Sequence, residues 1–276
     1  MRLKKIFATV LMLVTVMAFT GCGEEEKAAA PVAKIGMLQQ LNASEQEFNG
    51  FMKKVATTFA LNVTEHEVIY FNNFNSMQMA LESGQIAEIS TYQCVADYLA
   101  AKNPKIEVLK GHTMEFIDAF CFALRAGDTD LKTNLDNVIN EMKTDGTLDN
   151  LTKEYIRVMD NPPKVQFEKF DGADTLKIAV TGDLPPLDLV LSDGTPAGFN
   201  TAVLSEIGKR LQKNIEIIQV DSAARAAALT SGQADIVFWA IVPVSEIIPS
   251  NADKPDGVEL TSPYYRGRIV HIGLKK

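Results

Sequence analysis

The feature that most constrains this chain is a twice-repeated alternation of short β-like runs and amphipathic helical stretches. Ala33–Leu38 reads as a strand, followed by a helix with Phe48, Phe51, Met52, Val55 and Phe59 on one face. Asn42 or Ser44 is placed to cap its start. Val68–Phe71, Ile86–Ser90 and Ile106–Leu109 are further strands, separated by helices around Met77, Ala80 and Leu81 and across Val95–Ala101. Phe120–Arg125 is strand-like, and Leu131, Leu135, Val138, Ile139 and Met142 mark the helix after it. Residues 157–174, with Asn161-Pro162-Pro163 and Phe170-Asp171-Gly172, break the pattern and read as a linker. Alternation resumes with strands at Leu176–Val180, Ile215–Val220, Ile236–Ile241 and Ile269–Leu274. Helices are expected at Val203, Ile207 and Leu211 and across Ala223–Leu229. Such alternation implies an α/β fold with mostly parallel strands covered by helices.

The first 22 residues form a separate unit. Arg2, Lys4 and Lys5 precede an apolar run, Ile6–Phe19, too short for a comfortable membrane span. The run ends at Phe19-Thr20-Gly21-Cys22, which resembles the lipobox of bacterial lipoproteins. The resemblance implies export, lipidation of Cys22 and an extracytoplasmic, membrane-anchored chain. Gly23 to Ala33, rich in Glu and Ala, reads as a tether. Loss of the leader's three basic side chains takes the net charge from −8 to −11. An acidic chain argues against nucleic acid and against electrostatic docking on anionic lipid, leaving the lipid as the only membrane contact. Cys94 and Cys121 sit in apolar surroundings and read as buried thiols, a disulfide being left open. His66, His112 and His271 are scattered, so neither a metal nor any other cofactor is expected.

Several segments together resemble the amino-acid-type extracellular solute-binding proteins (family 3) of ABC importers. Asp183-Leu184-Pro185-Pro186 follows the strand Leu176–Val180 as that family's first ligand loop does. Asp193-Gly194-Thr195-Pro196-Ala197-Gly198-Phe199, Ala228-Leu229-Thr230-Ser231-Gly232-Gln233-Ala234-Asp235 and Ser262-Pro263-Tyr264-Tyr265 match its later motifs in order. Ala80–Ile86, Phe122–Asp128 and Leu131–Tyr155 resemble its second lobe, return crossover and C-terminal helices. The family's end therefore comes first and its beginning second, which implies a circular permutation. Residues 34–119 would be the second lobe, 120–156 the crossover and C-terminal helices, 157–174 the joint, and 175–276 the first lobe with its crossover strand. Exposed, neighbouring termini make such a reordering physically tolerable.

The resemblance implies a two-lobed, type II periplasmic-binding-protein-like fold that closes on a small molecule, with ABC permease subunits as partners. It places Asp183, Leu187, Trp239, Ala240 and Val242 from one lobe and Asn42, Ser44 and Tyr92 from the other at the ligand. The chain departs from the family at both charged anchors. Ile247 stands where an arginine usually holds the α-carboxylate, and Tyr92 where an aspartate usually holds the α-ammonium. Arg225 is the nearest substitute cation, and Trp239, the single tryptophan, offers a flat wall. The expected ligand therefore has an apolar or aromatic body against Trp239 and an anionic or polar end at Arg225 or at Asn42–Ser44. No catalytic motif stands out. A solute-capturing role is favoured over a ligand sensor, and both over a dehydratase-like enzyme on the same fold.

Overall fold

The computed structural model describes residues 32–42, 44–58, 66–110, 116–157, 161–245 and 248–275; Cys22, most of the tether, His112 and Ile247 lie outside them. The chain runs β1 (Ala33–Leu38), α1 (Glu45–Thr58), β2 (His66–Phe71), α2 (Phe74–Glu82), β3 (Glu88–Tyr92), α3 (Gln93–Lys102) and β4 (Ile106–Val108). The long β5 (Ile117–Arg125) leads to α4 (Thr129–Thr144) and α5 (Thr147–Leu151), which ends in a π-helical turn. Then come β6 (Thr175–Val180), a small antiparallel sheet of β7 (Asp183–Leu184), β8 (Asp188–Val190) and β9 (Pro196–Ala197), and α6 (Phe199–Leu211). The chain closes with β10 (Asn214–Gln219), α7 (Arg225–Thr230), β11 (Ile236–Pro243), β12 (Val258–Leu260) and β13 (Tyr265–Leu274). Among the described residues no helix is long and apolar enough to cross a membrane.

Local chemistry explains the element starts. Ser44 and Glu47 form a reciprocal capping box on α1: Ser44 Oγ accepts from Glu47 N at 3.2 Å, and Glu47 Oε2 accepts from Ser44 N at 3.0 Å. Asn73 caps α2 by accepting from Ser76 N at 2.8 Å. α6 begins after Gly198, whose φ of 101° is open to glycine. A Cβ there would lie 2.8 Å from Pro186 O and 2.9 Å from Leu187 O, so the Gly198-Phe199 pair is a steric requirement.

The main sheet runs β10-β6-β11-β5-β13-β3-β1-β2, with β12 added on β5 and β4 on β13. It divides into two halves of identical order. In one, β6, β10, β11 and β12 lie as second-first-third-fourth, with β5 inserted antiparallel between the last two. In the other, β1, β2, β3 and β4 follow the same order with β13 inserted antiparallel. Each half thus receives a strand from the other half's sequence. This mixed α/β arrangement, with two strands exchanged at its centre, is that of a type II periplasmic-binding-protein-like fold. α6 and α7 pack on the first half with α4 and α5 against α6, while α1, α2 and α3 pack on the second. The buried core continues through both.

The structure corrects the sequence expectation for the last strand. It begins at Tyr265, not Ile269, and Tyr265–Arg268 pair with Phe120–Ile117 before the strand passes to β3. Arg266 and Arg268 are exposed and Gly267 is buried, which hides the hydrophobic run a strand usually shows. Gly267 lies so close to Tyr92 that a Cβ would meet its ring at 2.7 Å.

Candidate functional site

The two halves meet over a cavity of about 50 Å³, at the C-terminal ends of the parallel strands β1 and β3. In open α/β sheets that is where ligands bind. Its volume is room for a few waters. Tyr92 comes from the end of β3, Trp239 and Ile241 from β11, Asp118 from the start of β5, Asp253 from the loop before β12, and Arg225 from the first residue of α7.

Trp239 sits at a β-bulge, where the pairing of β11 with β5 shifts between Phe238 and Ala240. Its φ of 65° is rare for a bulky side chain, and such outliers cluster at functional sites. The bulge turns the Trp239 carbonyl to Arg225 Nη1, which donates to it at 2.7 Å. The guanidinium also lies over the indole, 4.7 Å from its centroid. Arg225 Nη2 donates to Gln39 O at 2.8 Å in the opposite half, and Nε donates to Ser222 O at 3.1 Å. Arg225 is 1% exposed. It is therefore a clamp on main-chain carbonyls of both halves, where the sequence led to the expectation of a cation for a ligand's anionic end.

Tyr92 stands edge-on to Trp239, with centroids 6.1 Å apart at 90°, and edge-on to Phe120 at 4.7 Å. Its hydroxyl donates to Asp118 Oδ2 at 2.9 Å. Asp118 is 5% exposed, and its Oδ1 receives no hydrogen bond from the described protein. Burial, reinforced by the charge of Asp253 and opposed by the Tyr92 hydroxyl, pushes Asp118 up to about 6. Asp253, 2% exposed, accepts from Leu41 N at 2.5 Å and from Asn42 N and Ile241 N at 3.3 Å. Burial pushes it up to about 6, against the pull of Arg225. The indole N–H of Trp239 is buried without an acceptor.

Of the residues expected at the ligand, Tyr92, Arg225 and Trp239 line the cavity. The other expected residues are engaged elsewhere. Asp183 Oδ2 accepts from Phe74 N at 2.5 Å and Asn75 N at 3.4 Å, capping α2 across the cleft. Asn42 donates to Ala252 O at 3.2 Å, and Ser44 is spent on the α1 cap. Leu187 and Ala240 are fully buried, and Val242 lies on β11 beyond the cavity. Asp235 is structural: it accepts from Lys177 N at 3.0 Å and pairs with Arg125 at 3.1 Å. Cys94 and Cys121 are buried free thiols.

Residues 176–268, from β6 into β13, match the model of bacterial extracellular solute-binding proteins, family 3. Over these residues, about a third of the chain, the sequence is similar to that family. The start of the second exchanged strand and three cavity-wall residues, Arg225, Trp239 and Asp253, fall within the matched stretch. No curated protein matches the sequence. Among solved structures the chain is similar to the ligand-binding component of an ABC-type import system from Staphylococcus aureus with zinc bound, at 16% identity and TM-score 0.42. That similarity covers 89% of this chain and 66% of the other, just under two thirds of its length. It is also similar to the GluR0 ligand-binding core with L-glutamate, at 10% identity and TM-score 0.42, covering 90% and 87%. A nutrient-binding protein from Burkholderia cenocepacia bound to methionine is similar at 14% identity and TM-score 0.40, covering 88% and 85%.

Asp118 and Asp253 were not reached from the sequence. Asp118 did carry a signal, since an acid at the head of an otherwise apolar strand is seldom buried without a task. Asp253, in a polar loop, carried none.

Proposed function

We propose that this chain captures a small organic solute outside the cytoplasm and delivers it to an ABC importer, held to the membrane by a lipid on Cys22. The observation that carries the reading is the cavity itself, walled by Tyr92 and Trp239 where two halves of matching strand order face each other. Hydrogen bonds accepted by Asp183 and Asp253 and donated by Arg225 cross between the halves, as a closed two-lobed binder requires. The test is thermal or chemical stabilisation across a metabolite panel. A tight ligand in excess is expected to add about 3–4 kcal/mol. A panel without any shift counts against solute capture. Permease and ATPase genes beside this one would separate importer from sensor.

We also propose that the chain is a permuted family member, with residues 157–174 as the joint. β13 runs antiparallel to β3 and β1 parallel to it, so Leu274 and Ala33 lie at one end of the sheet with β3 between them. At about 4.8 Å per strand that is a gap of roughly 10 Å, which a few residues span. A reordered chain, 175–275 joined by a short loop to 32–157, is expected to fold and bind as the natural order does. Failure of that chain to fold while the natural order does would sink the idea.

A further inference from the structure

The charges around the cavity are unequal in what they offer. Arg225 is the one lining cation among the described residues, and three of its N–H groups are committed to the carbonyls of Ser222, Trp239 and Gln39. Asp253 is committed through both oxygens to backbone N–H groups. Asp118 differs. It lines the cavity and is buried, one oxygen is fixed by Tyr92, and the other accepts nothing from the described protein. Its Oδ1 is therefore not sealed inside the protein, as the unpartnered oxygens of Asp183 and Asp188 are, and a donor placed in the cavity can reach it. The side chains beside it are the faces and edges of two aromatic rings at right angles, an arrangement that suits a desolvated cation.

From this placement we infer that the site takes an organic ammonium group, whose N–H donates to Asp118 Oδ1 between Tyr92 and Trp239. The inference rests on the solute-binding reading and names its ligand class. A carboxylate is disfavoured in the same place. It would face Asp118 and Asp253 with no uncommitted cation among the described lining residues to balance it. The empty cavity is of headgroup size, so the body of the ligand must extend by displacing neighbours. Met37 and Met77 on the wall are unbranched and adaptable enough to yield. The position of Asp118 within an ionisable cluster agrees with this: burial raises it, and an ammonium would draw it back down.

The experiment uses four probes of similar shape and different charge: 3-methylbutylammonium, 3-methylbutan-1-ol, 4-methylpentanoate and L-leucine, titrated calorimetrically into the protein at neutral pH. The ammonium is expected to bind at least about tenfold more tightly than the alcohol, the difference between a hydrogen bond to a charged group and a neutral one. The pentanoate is expected not to bind, and leucine to bind more weakly than the amine because its carboxylate has no partner. Asp118→Asn is expected to remove the preference for amine over alcohol. The order among wild-type affinities decides the matter by itself if that variant does not fold. Equal or tighter binding of the alcohol, the pentanoate or leucine, or no binding of the amine at millimolar concentration, overturns the inference. In either case the metabolite panel judges solute capture separately: another ligand found there with an anionic head would refute the ammonium and leave capture standing.

Discussion

Arg225→Ala is expected to lower the stability of the empty protein by about 3–5 kcal/mol, read from urea denaturation. The guanidinium is 1% exposed and holds the carbonyls of Gln39, Trp239 and Ser222 at 2.8, 2.7 and 3.1 Å. Its removal orphans these acceptors, leaves a void beneath the indole of Trp239, and strips Asp253 of the positive charge that favours its ionised form. Arg225→Lys is expected to recover little, because one ammonium cannot reach three carbonyls in a planar fork. The contrary outcome is informative. An arginine reserved for a ligand would stand unpaired in the empty protein, and its truncation would cost little or even stabilise. A loss below about 1 kcal/mol would therefore return Arg225 to the ligand and remove the clamp.

How much of this was readable beforehand follows the physics of each element. Amphipathic helices such as the one through Leu135, Val138, Ile139 and Met142 announce themselves, because one face is buried and the spacing repeats. The apolar parallel strands do the same. β12 spans three residues, Val258–Leu260, and adds to β5 with no pattern long enough to detect. The early start of β13 is hidden because Arg266 and Arg268 face outward around a glycine chosen for contact with Tyr92 and Phe120. At the site, Trp239, Tyr92 and Arg225 line the cavity, but their hydrogen-bond partners leave no mark in the sequence. Hydrogen bonds between residues as distant as Gln39 and Arg225, or Asp183 and Phe74, depend on how two halves close and leave no local trace. The commitments made by Asn42, Ser44 and Asp183 to caps and backbone groups are the same kind of information. A polar side chain near a helix start reads alike whether it serves a ligand or the fold.

The second large effect concerns pH, and its sign is opposite to the usual acid lability. Asp118, Asp188 and Asp253 are buried carboxyls each raised to about 6, with desolvation the leading cause in every case. The hydrogen bonds from Tyr92 to Asp118, and from Gly182 and Thr181 to Asp188, oppose the rise without cancelling it. In the unfolded chain these groups titrate near 3.8. Between about pH 4 and pH 6 the native state holds protons that the unfolded state has released, so stability falls as pH rises through that window. Above about 6 the loss is complete and amounts to on the order of 3 kcal/mol for one such group, less where the site relaxes. Asp118 isolates the effect, since Asn has its shape and still accepts from the Tyr92 hydroxyl but carries no charge. Asp118→Asn is thus expected to be more stable than the natural protein at pH 7 by about 1–3 kcal/mol, with the difference shrinking toward zero near pH 4. Parallel urea titrations of the two proteins at pH 4, 5, 6 and 7 read the difference directly. A variant less stable at pH 7, or a gap that does not close as pH falls, would mean that Asp118 is held as a well-satisfied anion by the fold. The expected result instead marks a carboxylate kept in an unfavourable place by something other than stability, and a group that costs the empty protein free energy is one that a cationic ligand can repay on arrival.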